Sequence, residues 1–209
     1  MYPPPAEVPA RGRRTGIFGG SFDPPHLGHV SVARDLIGAL HLDRLLVIPA
    51  GDPPHREVML PAEVRLDLTR RAFADAPGIE VSSMEVERLG PSYTVDTLEA
   101  LARHFPADRR VLVMGADQFA QIHRWERWRR LAELARIAVM PRGGREPSPS
   151  PESMPIEYVV VHVTRVDISA SRIRRRLEQG RSVHLLVPET IRHDVERAWA
   201  GRRARHAAQ

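Results

Sequence analysis

Residues 16–29 read GIFGGSFDPPHLGH, and this stretch decides how the chain begins to fold. Pro24 and Pro25 lack the N–H that a sheet ladder needs, so a strand that starts at Gly16 must end near Gly19. A second pattern follows, in which apolar residues recur at the spacing of a helix: Leu27, Val30, Ala33, Ile37 and Leu40. The stretch therefore predicts a strand, a glycine turn and the first turn of a helix.

The turn between this strand and this helix has the chemistry of a phosphate site. Gly19 and Gly20 let a ligand come close to the backbone, and the free N–H groups of a helix start attract anions. His26 and His29 stand at that helix start. A glycine pair alone usually just ends a strand, and two such histidines more often cap a helix or face solvent. Their coincidence at one turn favours phosphate binding.

The rest of the chain alternates between strand and helix patterns. Apolar, β-rich runs lie at Gly16–Phe18, Leu45–Ile48, Ile79–Val86, Val111–Met114, Ile137–Met140 and Tyr158–Val163. Helical patterns lie at 27–40, 62–75, 94–104, 126–135, 170–179 and 188–200. The alternation predicts an α/β fold with a doubly wound, Rossmann-like parallel sheet, helices on both faces and a C-terminal helical segment. Ligands of such sheets bind at the carboxyl ends of the strands.

The domain organisation follows from composition. The chain has 209 residues, of which 42% are hydrophobic, enough for one α/β domain over residues 15–187. Residues 1–14 are rich in proline and charge and are predicted to form a flexible tail. The segment 141–155, PRGGREPSPSPESMP, is predicted to be a mobile loop. Residues 188–209 are predicted to form a C-terminal helix and a basic tail.

Two residue types are missing, and each absence excludes a class of chemistry. The chain has no cysteine, which excludes disulfides and thiolate nucleophiles. It has no lysine either, so all 31 of its basic residues are arginine. A P-loop nucleotide site and Schiff-base catalysis each require a lysine, so both are excluded. A phosphate clamp must therefore use arginine, whose planar fork binds phosphate oxygens in pairs.

Charge and hydropathy predict a cytoplasmic protein that binds small molecules. The chain has no signal-peptide core and no membrane span, so we expect no membrane partner. The net charge of +5 suits nucleic acid or polyphosphate. Because basic runs occur only at 172–176 and 202–205, small polyphosphate ligands are favoured and no nucleic-acid partner is expected. A homo-oligomer is left open.

Two further stretches are candidates for a second substrate. PAGDPPHR at 49–56 follows the second strand and ends in His55 and Arg56; an ordinary surface loop is the alternative. GPSYTVDTL at 90–98 enters a helix that Ser92 or Thr94 can cap. Helix capping alone is one explanation of this stretch. The alternative is that the backbone N–H groups at Tyr93–Thr94 face a ligand carboxylate.

The stretch MGADQFAQIHRWERW at 114–128 leaves the fourth strand through Gly115. Asp117 can accept hydrogen bonds from a sugar or base. Trp125 and Trp128 are three apart, on one face of a predicted helix, and such pairs usually belong to the core. Their charged neighbours indicate that at least one ring is partly exposed for stacking.

DISASRIRRRL at 167–177 predicts a second helix start that attracts anions. Either Ser169 or Ser171 can cap the helix, and Arg174 lies about one turn in, within reach of the same anion. A capped, basic surface helix is the alternative.

Taken in order, these motifs resemble the bacterial nicotinate-nucleotide adenylyltransferases of the HxGH nucleotidyltransferase superfamily: GGSFDPPHLGH, PPHR, PSYTVDTL, GADQ with HRW, and ISASRIR. The resemblance runs from about Thr15 to Leu186. The family usually has GGTFDP where this chain has Ser21, which keeps the hydroxyl. The family's ISSTxIR reads ISASRIR here, and Ser171 keeps the later hydroxyl.

The resemblance implies transfer of the adenylyl group of ATP to nicotinate mononucleotide, with release of pyrophosphate. It implies catalytic roles for His26, His29 and Arg174. Implied ATP contacts also include Gly19, Gly20, Ser21, Phe22, Gly115, Asp117 and Ser171. Implied mononucleotide contacts are His55, Arg56, Tyr93, Thr94, Trp125 and Glu126. Mg²⁺ is expected on the ATP phosphates rather than in a protein metal site.

Within that implied site, the pyridine ring stacks on Trp125, and its carboxylate meets N–H groups near Thr94 and Glu126. The Glu126 carboxylate would repel nicotinate unless it points away. The alternatives are a related transferase for nicotinamide mononucleotide, phosphopantetheine or cytidine nucleotides, and a non-catalytic module that binds nucleotides or nucleic acid. A class I aminoacyl-tRNA synthetase fragment is disfavoured because its partner motif needs lysine.

Overall fold

A computed structural model describes residues 12–54, 56–141, 147 and 156–207, the last six by their backbone alone. Its strands are β1 (Arg14–Gly20), β2 (Arg44–Pro49), β3 (Ile79–Val81), β4 (Arg109–Gly115), β5 (Arg136–Met140) and β6 (Tyr158–Val160). Its helices are α1 (Leu27–Ala39), α2 (Ala62–Ala72), α3 (Thr94–His104), α4 (Ala116–Phe119), α5 (Trp128–Leu134), α6 (Ala170–Glu178) and α7 (Glu189–Ala207), with a 3₁₀ turn at Ile122–Arg124.

The six strands form one parallel sheet in the order β3-β2-β1-β4-β5-β6. The predicted doubly wound fold is therefore confirmed. The direction of winding reverses between β1 and β4, and the carboxyl ends of those two strands form the crevice where such sheets bind ligands. No described helix is long and apolar enough to cross a lipid bilayer.

The sheet is buried on both faces, because successive side chains of each strand enter two different apolar cores. On β2, Leu45 and Val47 pack into the core under α1, α2, α6 and α7. Leu46 and Ile48 pack into the core under α3 and α5. Every residue of β2 is buried, which explains why residues 45–49 are a continuous apolar run.

The two edge strands are shorter than predicted. The runs Ile79–Val86 and Tyr158–Val163 were expected to be strands throughout, but β3 ends at Val81 and β6 at Val160. Each edge strand pairs on one side only, so fewer hydrogen bonds keep it extended. After β3 the side chain of Ser82 accepts a hydrogen bond from the Met84 N–H, and the chain turns away.

Two predicted helices have different bounds. The helix expected at 126–135 begins only at Trp128, because Arg127 has a left-handed backbone with φ of 44°. The helix expected at 188–200 continues to Ala207, so most of the predicted basic tail is helical.

The ends of the predicted domain lie close to the described limits. Strand β1 begins at Arg14, the last residue of the predicted tail, and residues 1–11 lie outside the described part. Gly12 is already packed, since a Cβ there would lie 1.6 Å from the Ala107 carbonyl oxygen. Of the predicted mobile loop 141–155, all but Pro141 and Pro147 lie outside the described residues.

Candidate active site

Two glycines open the crevice between β1 and β4. Gly19 lies near the end of β1, and Gly115 ends the neighbouring strand β4. A Cβ built on either residue would meet no described atom within 4 Å. The protein's own packing therefore does not require glycine here, and the space beside both backbones is open to a ligand.

His26 and His29 cap helix α1 reciprocally. The His29 N–H donates to Nδ1 of His26 at 3.3 Å, and the His26 N–H donates to Nδ1 of His29 at 3.2 Å. The two rings stack with their centroids 3.6 Å apart. Because each Nδ1 accepts a hydrogen bond, the proton of each neutral ring belongs on Nε2. The pair therefore has two Nε2–H groups that can donate to a ligand.

Burial keeps both rings neutral. It lowers the pKa of His26 to about 4. Burial also lowers the pKa of His29 well below its usual value, and smaller Coulombic effects of His26 and Arg56 act in the same direction. At pH 7 the histidines are thus neutral hydrogen-bond donors, and positive charge for an anion must come from arginine.

The ring of Phe22 packs against the histidine pair. It lies 4.8 Å from the His29 ring and packs edge-on against Phe18 and Phe73. The residue is only 1% exposed, so its ring is part of the core. Its φ of 46° turns the chain out of β1 towards α1.

Arg174 reaches the same turn from helix α6. Its Nη1 donates to the Asp23 carbonyl oxygen at 2.9 Å and lies 3.8 Å from the Asp23 carboxylate. Of the two serines that could cap α6, Ser169 does so, accepting a hydrogen bond from the Arg172 N–H at 3.3 Å. Ser171 is exposed in the first turn, with its hydroxyl 3.2 Å from that of Ser169. Helix α6 therefore places the cation of Arg174 against the turn after β1, and it carries the exposed hydroxyl of Ser171 in its own first turn.

Helix α3 begins differently from the prediction. Its N-cap is Tyr93, whose side chain makes no capping bond, and Thr94 is the first helical residue. The Ser92 hydroxyl instead accepts hydrogen bonds from the N–H groups of Gly51 and Asp52, at 2.9 and 3.1 Å. The predicted cap by Ser92 or Thr94 is wrong, because Ser92 is used to fasten α3 to the loop after β2. The first turn of α3 keeps N–H groups that no side chain caps.

A buried carboxyl group supports this junction. Glu85 accepts a hydrogen bond from the Thr97 hydroxyl at 2.6 Å. Burial raises the pKa of Glu85 to about 7, against the opposing effects of the Thr97 hydrogen bond and the charge of Arg88. Arg88 also donates to the Thr97 hydroxyl and to the Tyr93 carbonyl, so it lies beside the start of α3.

The two tryptophans do not share a helix face. Trp125 ends the 3₁₀ turn in an extended conformation, and Trp128 opens α5 after the left-handed Arg127. Both rings are partly exposed and pack against the core under α3 and α5, and the Arg129 guanidinium lies 4.3 Å from the Trp128 ring centroid. The expectation that at least one ring is partly exposed is confirmed. Glu126 is exposed.

Comparison with known proteins fits this geometry. The family described as cytidylyltransferase-like matches residues 17–176. A Thermus thermophilus protein named "Probable nicotinate-nucleotide adenylyltransferase" is 42% identical over 184 residues, which cover 88% of this chain and 97% of the relative. The chain belongs to this adenylyltransferase family. A Halorhodospira halophila protein of the same name is 40% identical over 90% of this chain and 96% of its own length.

A solved structure of the same enzyme class has the same fold. It is the Plasmodium falciparum nicotinic acid mononucleotide adenylyltransferase complexed with NaAD, which aligns with a TM-score of 0.69. The alignment covers 86% of this chain and 93% of that one at 18% sequence identity. At that identity it supports the fold.

The remaining residues that the adenylyltransferase resemblance implied lie around this crevice or outside the described part. Gly115 is the N-cap of α4 and donates its N–H to the side chain of Gln118 at 3.3 Å, and Asp117 is exposed in that short helix. Arg56 is exposed, and its charge acts on His29. His55 lies outside the described residues.

Sequence reasoning gave no site role to Asp23, although it lies inside the quoted motif. Its carboxylate is 1% exposed and accepts hydrogen bonds from the N–H groups of Met59 and Leu60, at 2.7 and 3.0 Å. Asp23 therefore joins the turn after β1 to the far end of the loop after β2. An acidic residue between a glycine turn and two prolines was the available signal.

Arg65 was missed altogether. It is 0% exposed and donates to four carbonyl oxygens at 2.5 to 3.0 Å, those of Ser21, Ala50, Gly51 and Leu60. Burial lowers the pKa of this guanidinium, and the nearby Asp23 charge opposes that effect. Arg65 thus joins the loops that follow β1 and β2. The signal was an arginine on the same helix face as the buried Thr69 and Ala72.

The described residues contain no group of three or more histidine, cysteine or acidic side chains that could hold a metal ion. Nδ1 of both His26 and His29 already accepts a backbone hydrogen bond. The pair has no carboxylate partner that would complete a coordination shell. These residues fit a phosphate-bound cation better than a protein-bound one.

Proposed function

We propose that the protein transfers the adenylyl group of ATP to nicotinate mononucleotide, forming nicotinate adenine dinucleotide and pyrophosphate for NAD biosynthesis. One observation carries the proposal: the neutral His26–His29 pair stands beside the open Gly19 backbone at the sheet's reversal point. Membership of the nicotinate-nucleotide adenylyltransferase family supports the choice of substrate.

In the proposed reaction, a 5′-phosphate oxygen of the mononucleotide attacks the α-phosphorus of ATP. The bond between the α-phosphorus and the bridging oxygen breaks, and that oxygen leaves with pyrophosphate. The catalytic work is alignment and stabilisation of charge on phosphate oxygens, so no covalent intermediate is needed. The absence of cysteine in the chain is compatible with that route.

The ATP end of the site combines neutral and charged donors. The triphosphate lies along the Gly19–Phe22 backbone, where Nε2–H groups of His26 and His29 donate to it. Arg174 supplies charge from α6, and Ser171 supplies a hydroxyl. Donors already fixed by caps and stacked rings cost little to reorganise when charge develops, which is how such sites accelerate transfer. Gly115 and Asp117, at the end of β4, face the nucleoside.

Mg²⁺ is the proposed cofactor, held by the phosphates of ATP. When bound, it neutralises charge on the phosphate oxygens and orients them for in-line displacement. In this chain Arg174 and Arg56 complement that charge, because no lysine is available for the task.

The mononucleotide end lies at the start of α3. The pyridine ring stacks on Trp125, and the carboxylate accepts hydrogen bonds from the uncapped N–H groups near Thr94. His55 and Arg56 hold the mononucleotide from the loop after β2. The exposed Glu126 carboxylate is screened by solvent and does not prevent binding of the acid.

The proposal also covers the domain organisation of the chain and its location in the cell. Residues 15–187 form the nucleotidyltransferase domain. Residues 188–209 form a C-terminal extension that braces α2 and α6, which α7 contacts. The enzyme works in the cytoplasm on small molecules and not on nucleic acid.

The test is pyrophosphate release from ATP and Mg²⁺ across a panel of acceptors: nicotinate mononucleotide, nicotinamide mononucleotide and phosphopantetheine. We expect nicotinate mononucleotide to be preferred over its amide by at least about tenfold in kcat/KM, because amide NH₂ would face N–H donors. Equal use of both mononucleotides would contradict the acid-selective pocket. Turnover with phosphopantetheine alone would contradict the proposed function.

A second test addresses the phosphate clamp. Arg174→Lys keeps the charge but loses the paired donors, so KM for ATP should rise by about tenfold. Arg175→Lys is the matched control, since that neighbouring side chain is exposed. Equal changes in KM for ATP at the two positions would show that Arg174 makes no specific phosphate contact.

A further inference from the structure

A single arginine fastens the Trp125 segment to the first turns of α3. The Arg127 guanidinium lies 2.5 Å from Oδ1 of Asp96 and 2.9 Å from Oε1 of Glu99. Its left-handed backbone is what directs the chain from the 3₁₀ turn into α5. Arg130, one turn further on, lies 3.7 Å from Glu99 and pairs with Glu133. Among these contacts, only Arg127 reaches Asp96.

The charge balance at the start of α3 depends on this contact. Asp96 belongs to the first turn, two residues after Thr94, and Glu99 follows one turn later. Acidic residues at a helix start stabilise the helix, but they repel any other anion that approaches the same N–H groups. The hydrogen bond from Arg127 lowers the pKa of Glu99, so that carboxyl stays ionised. Without Arg127, Glu99 would keep Arg130 at 3.7 Å, and Asp96 would lose its ion pair.

Other charges nearby do not replace Arg127. Arg88 lies beside the Tyr93 carbonyl and the Thr97 hydroxyl, where the buried Glu85 faces it. Arg130 and Arg103 act on Glu99. Among the ion pairs of the described residues, Asp96 is bound by Arg127, so the first turn of α3 carries an unpaired carboxylate when Arg127 is removed.

We propose that Arg127 is a specificity-determining residue, which neutralises Asp96 and Glu99 so that the start of α3 accepts the anionic carboxylate of the pyridine ring. This inference rests on the proposed function, because the anion is that of nicotinate mononucleotide. Arg127 acts through α3 and does not touch the substrate, so it is a positioning residue. The neutral amide of nicotinamide mononucleotide carries no charge for Asp96 to repel.

The experiment measures binding of both mononucleotides to the full chain by calorimetry, at low and high salt. Arg127→Met keeps the unbranched stem and removes the charge. The variant should bind nicotinate mononucleotide about three- to tenfold more weakly at low salt, which is the size expected for one uncompensated charge near a surface. The loss should shrink at high salt, which screens exposed charges. The affinity for nicotinamide mononucleotide should change by less than about twofold.

Two further variants separate charge from packing. Arg130→Met removes the neighbouring cation that does not reach Asp96, and it should change nicotinate binding by less than about twofold. Asp96→Asn added to Arg127→Met should restore most of the lost affinity, since it removes the unmasked charge. A loss shared equally by both mononucleotides, independent of salt and not restored by Asp96→Asn, would show that Arg127 only packs the segment and overturns the inference.

These outcomes are distinct from failure of the proposed function. A wild-type chain that neither binds nicotinate mononucleotide nor converts it with ATP would overturn that function, and the inference with it. A wild-type chain that converts it, together with an Arg127→Met variant of unchanged affinity, would overturn the inference alone.

Discussion

The two ends of the proposed site are built in opposite ways. At the phosphate end, the decisive hydrogen bonds between His26 and His29 span three residues of sequence. At the pyridine end, the bonds that place α3 and the Trp125 segment span 41 residues, from Ser92 to Gly51, and 31 residues, from Arg127 to Asp96. A local motif therefore organises one substrate, and only the folded sheet can organise the other.

The difference predicts where substitutions have their effects. Changes at the phosphate end should act on the chemical step, because the donors there are fixed by their own caps. Changes at the pyridine end should act on binding of the mononucleotide. Arg65, which spans 44 residues to the Ser21 carbonyl, joins the two ends, so its loss should damage both.

The largest effect is expected for Arg65→Met. The substitution leaves four buried carbonyl oxygens without their charged donor. It also leaves the buried Asp23 with Arg174 but without the charge of Arg65. Removing one member of a buried charged network costs about 3–5 kcal/mol of unfolding free energy, to be measured by urea denaturation. Arg70→Met, at an exposed site on the same helix, should cost less than about 0.5 kcal/mol. Equal losses of unfolding free energy in the two variants would show that Arg65 does not link the two ends.

His29→Ala should be next. Loss of one fixed donor at the transferred phosphate should lower kcat by about 10²–10³-fold. KM for the mononucleotide should change little, because the pyridine end is built by other segments. Steady-state kinetics with each substrate varied would test this, with circular dichroism as the check on folding. Unchanged turnover would show that His29 only caps α1.

A smaller effect concerns the pH dependence of stability. The folded pKa of His26 is about 4, below the unfolded value of 6.5, so the unfolded chain takes up the proton first as the pH falls. Stability from this residue is complete above pH 6.5 and is lost progressively between pH 6.5 and 4. Each pH unit in that window costs about 1 kcal/mol, so the loss between pH 6.5 and 5 is about 1.5 kcal/mol.

His26→Asn isolates this effect, because asparagine keeps an N-cap acceptor but does not titrate. The variant should lose less stability than the wild type between pH 7 and 5, measured by urea denaturation at both values. Titrating groups away from the pair, including Glu85, are common to both proteins and cancel in the difference. The pKa of His29 is also lowered by His26, so the difference reports on the histidine pair. Parallel pH profiles would mean that His26 is not held neutral in the folded chain.

Trp125→Ala should have the smallest effect and should sharpen the comparison most. Stacking on an aromatic ring contributes about 0.5–1.5 kcal/mol, so KM for the mononucleotide should rise by about two- to tenfold. KM for ATP should stay nearly constant. Trp128→Ala is the matched control, since its ring packs on the same core and lies beside Arg129. It should lower the melting temperature and leave both KM values unchanged.

Local sequence patterns predicted much of this protein. The order of strands and helices follows from hydrophobic periodicity, and the sheet type follows from their alternation. The turn from Gly19 to His29 could be recognised because each of its features is local: a strand end, a glycine turn and a helix start. Ser169 as a cap of α6 was one of two local alternatives, and the sequence could not separate it from Ser171.

Tertiary structure decided the features that depend on partners distant in sequence. Ser92 has the chemistry of a helix cap, yet the loop after β2 brings Gly51 close enough to take its hydroxyl. The edge strands β3 and β6 are shorter than their apolar runs predicted, because each pairs with one neighbouring strand. Arg65 and Arg127 read as ordinary helix-surface arginines. The fold buries the first among backbone carbonyls and places the second against the acidic start of α3, since hydrogen-bond partners 31 to 44 residues away are chosen by packing of the sheet and not by local propensity.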